Sequence, residues 1–262
     1  NQSTVSVFLV VGLCDSDEPQ FVLFLIFLAI YLITILGNIV ILSVISSDQR
    51  LHTPMYFFLA NLSIIDIIFS SVTVPKLLFI LLTAQKATSF SDCITQLSFF
   101  QFFVVAECYL LAVMAYDRYV AICFPLNYTL IMSREVRFRM VLACWLSCSD
   151  TRLGEAIFLL VVVFAGMGPL TFILVTYGRI IAAVTKISTS KGRSKTFSTC
   201  ASHFTVVALY YGSGIFSYIW PSSTYTMDKD VKVVAVLYTI MTPMLNPIIY
   251  SLRNREVKRA LK

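Results

Sequence analysis

Long apolar runs, separated by short polar and mostly basic segments, set the pattern of this 262-residue chain. Six of the runs reach the roughly 20 residues that a helix needs to cross a bilayer. They predict spanning helices over 21–45, 54–82, 93–120, 155–184, 196–219 and 231–252. A seventh stretch, 136–146, is apolar for barely three turns. Polar residues inside the runs mark faces that must meet protein rather than lipid. Asn38 follows Gly37 in the first run, Asp66 sits at mid-depth in the second, and Glu107 lies in the third. At the helical rise Glu107 is about 16 Å from Arg118 along its helix. Pro54 suits a first helical turn, and Pro75 and Pro169 fall inside the second and fifth spans. The last run holds Pro243 and Pro247, which free backbone carbonyls that Asn246 and water are expected to satisfy.

The fourth span breaks the pattern. Ser149-Asp150-Thr151-Arg152 follows its short apolar stretch at once. A helix entering near Arg139 cannot cross the bilayer in so few residues, although the fifth span must start on the far side. The expectation is that a stretch is missing near 145–146.

Composition agrees with a membrane protein: 58% of residues are hydrophobic and 13% charged, against about half and a quarter in soluble domains. The net charge of +6 matters by position. One alternating set of loops holds Arg50, then Arg118, Arg134, Arg137 and Arg139, then Arg179, Lys186, Lys191, Arg193 and Lys195 in the basic loop 186–195, and finally Arg253, Arg255, Lys258, Arg259 and Lys262. The other set holds only Lys76, Lys86, Arg152, Lys229 and Lys232. The positive-inside rule puts the amino terminus outside and the carboxyl terminus in the cytoplasm, which requires an odd number of spans. The expected fold is an all-α membrane protein, a single seven-transmembrane helix bundle over 1–262. Residues 253–262 add a short amphipathic helix on the anionic inner leaflet, so membrane lipids are expected partners. Short basic loops separated by bilayer argue against nucleic acid. Residues 1–18 lack the basic region of a signal peptide, and Asn1-Gln2-Ser3 is a glycosylation sequon.

Three groups of residues are candidates for chemistry. Asp117 and Arg118 stand where the third helix leaves the hydrocarbon, and an arginine there needs water or a carboxylate. Such a releasable pair reads as a switch, with a snorkelling arginine as the alternative. Asp66 and Glu107 are neighbouring intramembrane carboxylates that cannot both ionise cheaply. They form either a sodium site or, preferably, a hydrogen-bonded strut with Asn38, Asn246 and His203. Finally, Phe100, Gln101, Val104, Val105, Val161, Val162, Ala165, Tyr211, Ile215, Tyr218, Val236, Thr239 and Ile240 line the outer half of the bundle at helical spacing and could hold a ligand or form core. Neither His52 nor His203 lies in a recognisable nucleophile or H-E-x-x-H motif, no zinc spacing occurs, and no cofactor is expected. A transporter using Asp66 and Glu107 would want related halves or broken helices, which are not seen.

Asp117-Arg118-Tyr119 ending the third span and Asn246-Pro247-Ile248-Ile249-Tyr250 ending the seventh resemble the rhodopsin-like G-protein-coupled receptors. The stretches 51–59 (LHTPMYFFL), 114–123 (MAYDRYVAIC), 195–203 (KTFSTCASH) and 243–254 narrow the resemblance to the vertebrate odorant receptors. It covers essentially the whole chain, apart from the long outer loop of that family. The resemblance implies a plasma-membrane receptor, not an enzyme, that binds small odorants and activates an olfactory-type stimulatory G protein to raise cyclic AMP. It assigns Asp117, Arg118, Tyr119, Leu126, Tyr177, His203 and Tyr250 to switching and G-protein coupling. It pairs Cys93 with an outer-loop cysteine in the missing stretch and leaves Cys148 without its partner, with a Cys93–Cys148 bridge as the alternative. Cys108, Cys123, Cys144 and Cys200 read as packing residues. Phe100 stands where amine-sensing receptors carry an acid, which favours neutral ligands.

Overall fold

Backbone amides in lipid have no water to bond, so each apolar run must satisfy its own hydrogen bonds as a helix. The computed structural model describes residues 7–9, 17–83, 87–146, 155–186, 190–219, 229–253 and 257. Its helices are α1 (Asp17–Ser47), α2 (Pro54–Thr83), α3 (Phe90–Cys123), the single turn α4 (Tyr128–Ile131), α5 (Arg134–Leu146), α6 (Glu155–Thr185), α7 (Ser190–Ile219) and α8 (Lys229–Arg253). Setting α4 aside, these are the seven helices of the expected bundle. Among the described residues, α1 from Gln20, α2, α3 and the Gly166–Thr185 part of α6 are long and apolar enough to cross a membrane.

Most helices overrun the predicted spans, because a helix need not end where the hydrocarbon does. The largest correction is at α7, which starts at Ser190, so the second half of the expected basic loop 186–195 is helical. A second difference is an antiparallel pair of three-residue strands, β1 (Val7–Leu9) and β2 (Ala87–Ser89), with Phe8 opposite Thr88. Three residues are too few to carry a readable alternation. Ser89 then caps α3, its hydroxyl accepting from the Asp92 amide at 3.0 Å, with the Asp92 carboxylate in the first turn facing the positive end of the helix dipole.

Helix α3 is the centre, packed against α2, α5, α6 and α7, and α1 closes the ring between α2 and α8. The main core runs through Phe58, Leu62, Leu110, Leu111 and Ile173. A smaller cluster of Phe27, Ile30, Val74, Leu81 and Ile240 joins α1, α2 and α8. Outward-facing apolar side chains such as Phe21, Leu25, Leu32 and Leu36 run along α1, the surface expected to face lipid. Hydroxyls inside the helices bond back to their own turns: Thr34 donates to the Ile30 carbonyl at 2.8 Å and Ser70 to the Asp66 carbonyl at 2.7 Å.

With 13 residues, α5 rises about 20 Å, short of the roughly 30 Å hydrocarbon layer. Its last turn stops halfway along α3, with the Trp145 ring 6.0 Å from Phe102 and 6.2 Å from Phe103. Phe90, Ile94 and Leu97, in the first turns of α3, are exposed. Of the expected segment 253–262, only Arg253, as the end of α8, and Val257, buried in the main core, lie among the described residues.

Candidate functional site

At the carboxyl end of α3 the fold buries Asp117 completely and leaves Arg118 9% exposed. The Arg118 guanidinium donates to Asp117 Oδ2 through Nε at 3.1 Å and through a second, shorter bond from its terminal nitrogen. The other carboxylate oxygen, Oδ1, accepts from the Tyr128 hydroxyl at 2.8 Å. Tyr128 opens α4 and reaches Asp117 because the 3₁₀ turn Pro125–Asn127 folds the chain back under α3. Burial and then the neighbouring carboxylate push the Tyr128 hydroxyl above the usual tyrosine range, so it stays a donor. The sequence reading missed Tyr128. Its only signal was a phenol just after a proline turn next to a buried aspartate.

Other switch candidates surround this pair in two groups. Tyr177 on α6 donates to His203 Nδ1 on α7 at 2.6 Å, and His203 Nε2 meets the Leu111 carbonyl of α3 at 3.1 Å, which ties three helices together. The Nε2–H tautomer satisfies both bonds. Tyr250 on α8 is buried, and its hydroxyl has no hydrogen-bond partner. Tyr119 is not part of the ion pair; its ring meets Phe124 edge-on at 5.6 Å. Leu126 is 95% exposed at the tip of the turn.

Deeper in the bundle, Asp66 accepts from Asn246 Nδ2 on both oxygens, at 3.1 and 3.0 Å. Glu107 is buried beside them, with Oε1 unpaired, and the two carboxylates interact across Asn246. Two sequence expectations need correcting here. The carbonyl freed by Pro247 is that of Pro243, four residues earlier, and Asn38 rather than Asn246 satisfies it, through Nδ2 at 3.3 Å. Asn246 is turned to Asp66 instead. His203 is not part of the strut, because its ring is committed to Tyr177 and Leu111. The approach of α8 to α1 depends on Gly37: a Cβ there would lie 3.0 Å from Pro247 Cγ. Among the described residues no group of three or more His, Cys, Asp or Glu side chains is placed to hold a metal ion.

Toward the amino end of α3, Gln101 and Val105 are buried and Phe100, Val104 and Tyr211 half-buried. The Phe100 ring packs on Phe69 of α2 at 5.2 Å. Tyr210, absent from the sequence expectations, donates from its hydroxyl to the Val104 carbonyl at 2.7 Å and accepts from the Cys108 thiol at 3.5 Å, pinning α7 to α3. Gln101 Nε2 and the Tyr211 hydroxyl are buried without hydrogen-bond partners. Val236 and Ile240 are placed apart from these residues, in the cluster between α1, α2 and α8. Thr239 is half-buried on the same helix. The side chains of Val161, Val162, Ala165, Ile215 and Tyr218 lie outside the described residues, as do Asn1 and Cys148. Cys93 is a free thiol, half-buried in the first turn of α3, and Cys108, Cys144 and Cys200 are buried.

The described residues form a bundle of helices around the central helix α3, with a buried ion pair at its carboxyl end. The chain superposes on squid rhodopsin with a TM-score of 0.79 at 17% identity, over 94% of this chain and 80% of that one, which establishes the seven-helix fold. Among curated proteins it is 44% identical to human Olfactory receptor 1J2, over all of this chain and 95% of the relative, in an alignment 298 positions long. It is 45% identical to mouse Olfactory receptor 1J21, over all of this chain and 96% of the relative. The family profile described as Olfactory receptor matches residues 27–148 and 142–262. This seven-helix membrane protein therefore belongs to the olfactory receptor family of G-protein-coupled receptors, multi-pass signalling proteins of the plasma membrane that are not enzymes.

Proposed function

We propose that the chain binds small, mostly neutral volatile molecules between α3 and α7 and activates a stimulatory, olfactory-type heterotrimeric G protein, raising cyclic AMP. The amino terminus and the amino end of α3 are extracellular, and Arg118 faces the cytoplasm, as the loop charges favour. The observation that carries this reading is the buried Asp117–Arg118 pair, held by Tyr128 beside Tyr177 and Tyr250. It is a charge that the bundle can keep or release, and a ligand that binds the released arrangement better shifts the population toward it. Tyr250, with no partner here, gains one if the helix ends part. Leu126 offers the G protein an apolar contact, and the Asp66–Asn246 bond is a strut that the transition must preserve. Without a carboxylate at Phe100, an ammonium buried in the outer cavity would go unpaired, which favours alcohols, ketones, esters and aldehydes.

The same reading accounts for short α5. We infer that a stretch between α5 and α6 is missing from this chain, including the partner expected for Cys93. Alignment over 298 positions against 262 residues supports this, as does a family match in two stretches that meet at 142–148. An intact mass of the deglycosylated product above that of the 262 residues fits the inference; agreement with the short mass defeats it.

The test of function is Arg118→Ala in cells reporting cyclic AMP, at matched surface expression. Loss of most of the response with odorant binding retained supports the switch. A normal response contradicts it.

A further inference from the structure

Arginines gather at the end of the bundle that holds Arg118, and among the described residues most of them have plain surroundings. Arg50 pairs with Asp48 and Arg139 with Glu135, each at 2.6 Å and each with its guanidinium in solvent. Arg134 and Arg179 are exposed. Arg137 differs. It is half-buried on α5, and its Nε is closed off from solvent with no hydrogen-bond partner. It forms no ion pair with a described residue. Its guanidinium rests over the Phe57 ring of α2, 5.7 Å from the centroid, near the outer limit of a cation–π contact. A part-buried cation held only by a ring is under-satisfied, and a carboxylate would hold it more strongly.

Tyr128 links this cation to one. Helix α5 packs on both α2 and α3, and the Tyr128 hydroxyl donates to Asp117 Oδ1 at 2.8 Å. Burial and then Asp117 push that hydroxyl up, and Arg118 and Arg137 both act against the push, so Arg137 lies within electrostatic reach of the same group. Asp117 itself is completely buried. If Arg118 leaves it, a carboxylate with one phenol donor remains in low dielectric, which is costly unless another cation arrives. We propose that Arg137 is that cation, a positioning residue of the switch. As Arg118 is released, the Arg137 guanidinium leaves the Phe57 ring for Asp117 and keeps the carboxylate paired. Release then strands no buried charge. This rests on the switch reading of Arg118 given above and names the residue that receives the vacated carboxylate.

The test is a mutant cycle on the full chain in lipid nanodiscs, read by thermal unfolding, which needs neither odorant nor G protein. Arg118→Ala stands in for release. In the unaltered chain Arg137→Gln removes only the contact with Phe57 and should lower the melting temperature by about 2 °C at most. In Arg118→Ala the same change should lower it by about 5 °C or more, because Asp117 then has no cation at all. Arg137→Lys keeps the charge and should recover most of that difference. With Asp117→Asn added to Arg118→Ala, the effect of Arg137→Gln should fall back to its size in the unaltered chain. Should Arg118→Ala yield no folded protein, Tyr128→Phe frees one oxygen of Asp117 with Arg118 in place, and Arg137→Gln should again cost more there than in the unaltered chain. Equal losses in every background, a loss that persists with Asp117→Asn, or no recovery with Arg137→Lys makes Arg137 a packing residue and overturns the inference. None of these touches the switch reading itself, which stands or falls on cyclic AMP from Arg118→Ala.

Discussion

Two buried aspartates, Asp117 at the end of α3 and Asp66 in the middle of α2, are satisfied in opposite ways. Asp117 holds a full cation on one oxygen and a phenol on the other, at the carboxyl end of α3. Asp66 takes both of its bonds from one neutral amide, in a site closed by α1, α2, α3 and α8 and with a second carboxylate beside it. A buried pair at a helix end can trade a partner only if the helix ends part and let another group in, so on the proposed reading its release is tied to a movement. A buried carboxylate whose donors come from one side chain of another helix cannot lose them without an unpaired group in low dielectric. The first arrangement suits a moving part, and the second suits the joint about which parts move.

The sharpest break in that comparison is Arg118→Ala, which should reduce G-protein activation at least tenfold while leaving odorant affinity within about twofold. It also strands a buried carboxylate, a loss of about 3–5 kcal/mol where one partner alone is removed. The double variant Asp117→Ala with Arg118→Ala should recover much of that stability without recovering signalling, as read by thermal unfolding alongside cyclic AMP. A double variant that signals normally would make the pair structural.

Asn246→Leu tests the other aspartate. It should lower stability by about 1–2 kcal/mol, as interhelical hydrogen bonds in membranes and stranded buried acceptors do, and reduce surface delivery. A stable Asn246→Leu protein would mean that Asp66 needs no strut. At the same joint, Gly37→Ala sets a methyl 3.0 Å from the Pro247 ring. The expected cost is about 1 kcal/mol, because α8 must shift by a few tenths of an ångström. An unchanged melting temperature would show that the α1–α8 contact yields freely.

Tyr128→Phe is milder. Removing one hydrogen bond from Asp117 is worth about 1 kcal/mol, so ligand-independent cyclic AMP should rise a few-fold with agonist potency nearly unchanged. A basal level at or below that of the unaltered receptor would show that Tyr128 does not hold the closed state. The smallest effect concerns Asp48, whose carboxyl the Arg50 side chain lowers from 3.8 to about 2. A depressed carboxyl stabilises the fold above its unfolded value and loses that contribution as pH falls through the folded one. Asp48→Asn should therefore change acid sensitivity only between about pH 4 and 2, and only slightly, since its partner Arg50 is exposed and solvent screens the pair. A shift in stability between pH 5 and 8 would contradict that assignment.

The carboxylates, the arginine and the helix-ending tyrosines were legible in the sequence because charge is costly in lipid and stands out against an apolar run. Their partners were less legible. Arg118 next to Asp117 could be paired by adjacency, whereas Tyr128 reaches Asp117 only because a 3₁₀ turn reverses the chain. Asn38 and Asn246 were both marked as buried amides, and their tasks came out exchanged. Which of them meets Pro243 depends on the close approach of α8 at Gly37, a distance that no local pattern encodes. Of the two settings expected for His203, the strut and the switch group, the structure gives it the second, bonded to Tyr177 and to the Leu111 carbonyl.

The sequence by itself determined the class of solution. Apolar runs of spanning length, basic loops on one side and intramembrane polar residues require a helical bundle with buried polar contacts, since lipid offers backbone and charge no other partner. It also exposed the short fourth span, because helix length is simple arithmetic. Only the tertiary structure decided which polar atoms were left over. Val236 and Ile240 turned toward α1 and α2, Tyr210 spent its hydroxyl on the Val104 carbonyl, and the Gln101 amide nitrogen and the Tyr211 hydroxyl stayed unpaired. Helical spacing fixes the face of a residue only relative to its own helix. What that face meets is set by the rotation and approach of neighbouring helices, the sum of many weak contacts that no single stretch of chain contains.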